Sequence, residues 1–308
     1  MTELKNKEYS YMCRELDYSD ISLSFIIVEK RNGMLPNLFK TYPVNISDKN
    51  EFKEKLMKNI INYIKNFENK DCLSYDPLKH KDKTFEYLEG SFISEFFDFK
   101  NSFGLDHLTD YKNKITDFNF YVLSIKDNLG NDIHLIRKMN GYKKINSHGI
   151  FAYINGKELN QIDNPVIGID NSVDLIVYND LIYILNYNSI KKFFNLKFSF
   201  QKEVVNILAP VKERGVIDNY DKFERNIRSN DKLTNRLISM KRKGVNFDES
   251  LNNKEELQKT IADFELNVVY KNGKILFDKS KDKEAILNLL SDYYYRTTQQ
   301  KTKGIVDK

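Results

Sequence analysis

The first third of the chain changes its hydrophobic period twice. From Ile21 to Val28, β-branched and aromatic residues crowd into one short run, which predicts a buried strand. Beyond Ser47, with Asp48 and Glu51 spaced as a capping pair, Phe52, Leu56, Ile60, Ile64 and Phe67 recur every three to four residues. That spacing predicts an amphipathic helix ending near Asn69. Between 70 and 115 the cluster Phe92, Ile93, Phe96, Phe97 and Phe99 is compatible with a helix or an extended segment.

From Phe118 the period becomes that of strands. Phe118 to Ile125 and Ile133 to Met139 flank the turn Asp127-Asn128-Leu129-Gly130-Asn131, a hairpin signature. Val173 to Tyr178 and Ile182 to Leu185 form a second pair joined at Asn179-Asp180, and Ile150 to Ile154 precedes the turn Asn155-Gly156. After Asn188 the pattern turns helical, with helices predicted over 189–195, 198–213, 219–229, 230–243, 253–263 and 282–294. One hairpin interrupts them, Leu266 to Tyr270 and Lys274 to Phe277 around Asn272-Gly273. Strands first and helices later predict an α+β fold with an antiparallel sheet in the middle of the chain. The expected organisation is an α/β region over 1–115, suited to association, followed by 116–308: sheet 116–188, helices and hairpin 189–294, polar tail 295–308.

Composition supports a folded chain of about two domains: 308 residues, 41% hydrophobic, with few Gly and Pro. Two cysteines, Cys13 and Cys72, are too few for a disulfide framework and suit a reducing compartment. Without an apolar run near the roughly 20 residues of a membrane span, or an apolar stretch within Met1 to Ser10, the expectation is a cytoplasmic protein that reaches a membrane only through a partner. Net charge is only +5, but its distribution is uneven. Ile190 to Lys308 carries 25 basic and 17 acidic residues, which leaves the preceding part slightly acidic. Such asymmetry is a cue for a polyanionic partner.

Motifs for chemistry are scarce. No GxGxxG, GxxxxGK[ST] or GxSxG string occurs, and His80, His107, His134 and His148 are too far apart for a helical zinc pair. His134, in an alternating strand, reads as a satisfied polar neighbour. Acids for metal-dependent cleavage are available in Glu29, Asp170 and Asp174, although Asp170, Asp174 and Asp180 bracket a hairpin that favours Asp by geometry alone. Neither a catalytic residue, a metal site nor a cofactor is predicted.

The informative segment is Lys222 to Lys243. Lys222, Arg225, Arg228, Lys232, Arg236, Lys241, Arg242 and Lys243 face only Glu224 and Asp231, a net +6 in 22 positions. Placed on one continuous helix at about 100° per residue, Arg225, Arg228, Lys232, Arg236 and Lys243 fall within about 80° of one another. Phe223, Ile227, Leu233, Leu237 and Met240 occupy the other side. A single-signed row on a rigid element is what phosphate-backbone binding needs, whereas an ordinary solvated face mixes signs through i,i+4 pairs. A membrane-surface helix is a further reading, but no Trp supports it. Lys191 and Lys192 are candidates to extend the surface, as are Lys143, Lys144, Arg296, Lys301 and Lys303. Asn226 and Asn235 are the amides in reach of bases.

The run from Val173 to Leu185, followed by Lys191-Lys192-Phe193-Phe194, resembles the sheet-to-helix passage of the KwaB-like family of the Kiwa antiphage defence system. Further stretches resemble it in the same order: Asn230-Asp231-Lys232-Leu233, the hairpin from Phe264 to Phe277, Ile286 to Leu290 with Ser291-Asp292-Tyr293-Tyr294, and Thr297-Thr298 to Lys308. The likeness covers about 115–308 and is weaker before. It departs from the family at Lys192, where relatives tend to carry an acid beside the aromatic. The resemblance implies a DNA-binding effector without established catalysis, engaging phage DNA largely without sequence specificity and impeding its replication and late transcription. It also implies a KwaA-like transmembrane partner, recruitment to the inner face of the cell membrane, and self-association as a dimer. The alternatives from other classes are a metal-dependent nuclease and a non-DNA scaffold of a membrane complex.

Overall fold

The structure, a computed structural model, describes residues 2–31, 35–46, 52–80, 83–104, 116–139, 144–145, 152–155, 158–161, 166–247, 254–277, 283–291, 294–296 and 303–305. The expected capping residues Ser47, Asp48 and Glu51, together with Ile150, Gly156, Lys143 and Lys301, lie outside these. The fold is α+β, and the chain divides into two compact units, Met1–Tyr75 with Lys81–Phe198 and Asp76–His80 with Ser199–Lys308. This division falls at residue 198 rather than near 115, because strands from both sides of 115 hydrogen-bond into one sheet.

The first unit contains α1 (Thr2–Arg14), β1 (Leu16–Glu29), β2 (Leu38–Val44), α2 (Phe52–Lys65), β3 (Cys72–Ser74), β4 (Phe85–Glu89), α3 (Phe96–Asn101), β5 (Phe120–Asp127) and β6 (Asp132–Lys138). Then follow β7 (Lys144–Ile145), β8 (Ala152–Asn155), β9 (Glu158–Gln161), β10 (Val166–Ile167), β11 (Leu175–Tyr178), β12 (Leu181–Ile184) and α4 (Tyr187–Phe193). Eight strands form one sheet in the order β2-β1-β5-β6-β11-β12-β4-β3, antiparallel except for β3–β4. The sheet therefore extends well beyond the expected 116–188.

Apolar residues occupy successive positions in β5, β11 and β12, and this is the signature of a sheet covered on both faces. Odd-numbered residues of β1 and β5, such as Leu23, Phe25, Tyr121 and Leu123, share a core with Tyr9 and Met12 of α1 and Ile60 and Ile64 of α2. Even-numbered residues meet α3 and α4: the Phe120 ring lies 4.7 Å from Phe193, and Phe99 packs edge-on against Phe193 at 5.0 Å. The aromatic cluster left open between helix and strand is thus a short helix, with Phe96 and Phe99 buried and Phe97 exposed.

The second unit is mainly helical: α5 (Leu196–Glu213, starting at the end of the first unit), β13 (Ile217–Asp218), α6 (Tyr220–Arg228), α7 (Asp231–Arg242), α8 (Lys254–Asp263), β14 (Val269–Lys271), β15 (Lys274–Leu276), α9 (Lys283–Leu290), β16 (Tyr294–Arg296) and β17 (Lys303–Ile305). The hairpin β14–β15 turns at Asn272 (φ 55°) and Gly273 (φ 75°), the pair of left-handed positions that Asn-Gly satisfies cheaply. Ile217 of β13 adds to β15 in parallel register. β16 and β17 pair antiparallel within the stretch expected as a polar tail. Phe200, Val204, Leu208, Phe223, Leu237, Phe277 and Leu287 are among its buried residues.

Candidate nucleic-acid interface

Residues 222–243 do not form one helix. Asn230 has extended backbone (φ −112°, ψ 103°), and its side chain accepts the Leu233 N–H at 3.2 Å, starting α7 afresh after α6 ends at Arg228. An N-cap of this kind satisfies an otherwise orphaned donor. The continuous 80° row expected across both helices is therefore broken by Ser229 and Asn230. Thr234 Oγ1 donates to the Ile227 carbonyl at 3.0 Å and ties the two helices together.

Each helix has its own outward face. In α6, Phe223 and Ile227 are buried, with the Phe223 ring edge-on to Phe277 at 5.4 Å. At about 100° per residue Arg225 points directly away from that pair, with Lys222 and Arg228 flanking it. In α7, burial of Leu233, Thr234, Leu237, Ile238, Ser239 and Met240 takes up most of the circumference, so only a narrow outer strip remains. Lys232 and Lys241 are exposed, but nine residues apart they lie about 180° from each other around the helix, Lys241 in its last turn.

The ten expected contact residues thus fall into different situations. Lys222, Arg225, Lys232 and Lys241 are exposed on the second unit, with Arg242 half-buried beside them. Arg225 donates its Nε–H to the Asp221 carbonyl of its own helix at 3.1 Å. Arg228 pairs with Glu224 at 3.3 Å, Lys243 with Asp76 at 3.3 Å, and half-buried Arg236 with Asn288. Lys191 and Lys192 are exposed on α4 of the first unit, Lys191 lying over the Tyr187 ring at 4.3 Å. Lys144, Arg296 and Lys303 fall on short strands whose side chains lie outside the described ones.

Reasoning from sequence missed Lys212 on α5. It lies 5.5 Å from the Tyr220 ring and joins Asn219, Tyr220, Asp221, Lys222 and Arg225 around an open pocket of about 490 Å³. Its pairing with Asp221 is long, 3.8 Å, and both side chains are exposed, so the contact is worth little. Tyr220 is held in place by donating its hydroxyl to the Leu208 carbonyl at 3.1 Å, and burial with nearby Glu224 pushes its pKa up. A periodic motif could not have exposed Lys212, because it comes from the preceding helix.

The amides expected near bases are constrained: Asn226 donates to the Lys222 carbonyl at 2.9 Å and Asn235 is half-buried. The acids weighed for metal-dependent cleavage are also committed. Arg137 grips Asp170 with two bonds of 3.0 and 2.9 Å and Asp174 with one of 2.6 Å, while Glu29 pairs with Lys40. Among the described residues no group of three His, Cys, Asp or Glu is placed to hold a metal ion. Nor, among those residues, is any helix long and apolar enough to cross a membrane.

The family described as Kiwa protein KwaB-like matches residues 115–298. That span includes β5, β6, β11, β12, α4 and the helices carrying the cations. Nothing matches among curated proteins or among solved structures.

Proposed function

The chain belongs to the Kiwa protein KwaB-like family and so is a component of Kiwa antiphage defence, and from that premise we propose that it binds phage DNA through the outer faces of α6 and α7. The observation that carries the reading is the arrangement of Lys222 and Arg225 on α6, Lys232 on α7, and Lys212 beside Tyr220. These cations are exposed on rigid elements, with Asp221 and Asp231 the exposed acids of the same two helices. Cations so placed contact phosphate oxygens and release condensed counterions, a mode that reads no bases. With Asn226 turned onto its own helix, binding is largely independent of sequence. In this reading the bound protein impedes phage replication and late transcription without cleaving the DNA. It acts as a dimer beside a KwaA-like transmembrane partner that brings it from the cytoplasm to the inner membrane face.

The test uses a labelled duplex of random sequence and fluorescence anisotropy. Lys222→Glu/Arg225→Glu/Lys232→Glu, three exposed positions, weakens binding by about 100-fold or more at low salt, since each lost phosphate contact also becomes a repulsion. Arg228 and Arg236 are poor choices because Glu224 and Asn288 hold them. Unchanged affinity with intact folding removes these helices from the interface. Failure to bind duplex, together with binding to vesicles rich in anionic lipid, replaces DNA binding with a scaffold role at the membrane.

A further inference from the structure

A tight reversal of the chain builds the pocket beside Tyr220, in the second unit. α5 ends at Glu213 and α6 starts at Tyr220, with only the short strand β13 between them. Asn219 makes the reversal: its left-handed backbone (φ 56°, ψ 39°) is one that Asn adopts more readily than most residues with a side chain. Its carbonyl accepts the N–H groups of Lys222 and Phe223 at 3.0 and 3.1 Å, which starts α6. The Tyr220 hydroxyl donates to the Leu208 carbonyl of α5 at 3.1 Å and fastens the two helices to each other. Lys212 Nζ then lies 5.5 Å from the Tyr220 ring, and Lys222 and Arg225, about one turn apart, complete the wall of a hollow of about 490 Å³.

Among the described residues that line this hollow, Lys212, Lys222 and Arg225 stand against Asp221, three cations to one acid, which leaves a charge of +2. Asp221 neutralises its neighbour poorly. Its carboxylate is 3.8 Å from Lys212 and its side chain is 82% exposed, so the pair is weak and opens readily when a stronger anion arrives. Arg225 is fixed beside the hollow by its Nε–H, which donates to the Asp221 carbonyl at 3.1 Å.

Charge and shape together select the kind of phosphate. A phosphodiester within a strand carries one negative charge and lies along the backbone, where an exposed lysine on a flat face suffices. A terminal phosphate carries about −1.5 to −2 near neutral pH, offers three acceptor oxygens and projects beyond the last sugar, so it enters a hollow and answers a charge of that size. Two ammonium groups and a guanidinium supply the matching donors. We propose that Lys212, Lys222 and Arg225 bind a phosphomonoester, either the 5′ end of a DNA strand or a mononucleotide. For the first source the inference rests on the DNA interface proposed above, and it adds that strand ends are held more tightly than uninterrupted duplex.

Two comparisons on the full chain test this, both at matched ionic strength. The first reads, by anisotropy, affinity for one short random duplex with 5′-phosphate or 5′-hydroxyl ends. The second reads the rise in thermal midpoint caused by about 10 mM adenosine 5′-monophosphate or by its 3′,5′-cyclic diester, since a ligand of the folded state stabilises it. A preference of about fivefold or more for the phosphorylated duplex assigns the pocket to strand ends. A larger rise with the monophosphate than with the diester, without a duplex preference, assigns it to a mononucleotide. Lys212→Ala/Arg225→Ala erases whichever preference the wild type shows; should that variant melt early, Lys222→Ala/Arg225→Ala replaces it. Equal results within both comparisons, or a preference that survives in the variant, overturn the pocket. Binding to neither duplex contradicts the DNA interface instead and leaves the second comparison to decide on the pocket, so the two failures are told apart.

Discussion

Arg137 and Asp174 show how much a single buried ion pair can organise. Asp174 is fully buried, and its side chain takes bonds from Arg137, Asn186 and the Lys138 N–H, while its carbonyl accepts the N–H groups of Leu185 and Asn186. The β11–β12 hairpin is thereby fastened to β6. An acid that reads from sequence as a turn residue is a structural clasp, and its partner Arg137 was hidden as one charge in an apolar strand. His134 is a second buried polar group in the same strand. It stacks on Phe103 at 4.5 Å, its Nδ1 lies 2.8 Å from Ser124 Oγ, and burial pushes its pKa down to about 4.

The sign of the consequence follows from proton counting. Between about pH 4 and pH 6.5 the unfolded chain binds the proton and the native protein does not, so stability rises with pH across this window. The contribution is complete above about pH 6.5 and is lost as pH falls toward 4, to a total of about 3 kcal/mol. Urea denaturation at about pH 7 and about pH 4.5 should show the wild type losing about 2 kcal/mol more than His134→Gln. Equal losses contradict the assignment.

At the scale of elements, the Asn230 cap decides how the basic segment is displayed. Asn230→Ala removes the acceptor for the Leu233 N–H and costs about 1 kcal/mol in urea denaturation at unchanged m-value, whereas Asn230→Asp retains it. An unaltered midpoint in the alanine variant means that the helices divide for another reason. The break was legible in the string Ser229-Asn230-Asp231, as were the β5–β6, β11–β12 and β14–β15 hairpins, because caps and tight turns are local chemistry. The helix α1 was not predicted, because Tyr9, Met12 and Cys13, its buried residues, stand among polar neighbours and make too short a pattern. What local pattern does not contain is pairing across distance. β1 joins β5 some hundred positions later, and β13 joins β15 through two residues that carry no period of their own. The same limit applies to the candidate interface, where Lys212 comes from the helix that precedes the basic segment.

For the molecule as a whole, a net charge of +5 understates the contrast within the chain, where the stretch from Ile190 onward is distinctly basic. Much of that excess lies on α6 and α7, in the part of the chain that matches the KwaB-like family. Non-specific binding to a polyanion follows from such a surface, with affinity governed by salt rather than base sequence. The most direct test is therefore the slope of log affinity against log salt for a random duplex, in the wild type and in Lys222→Ala/Arg225→Ala. With about four phosphate contacts the wild-type slope is about −3 to −4, and the double variant is shallower by about 2. Equal slopes in the two proteins, or no salt dependence at all, contradict DNA binding through these helices.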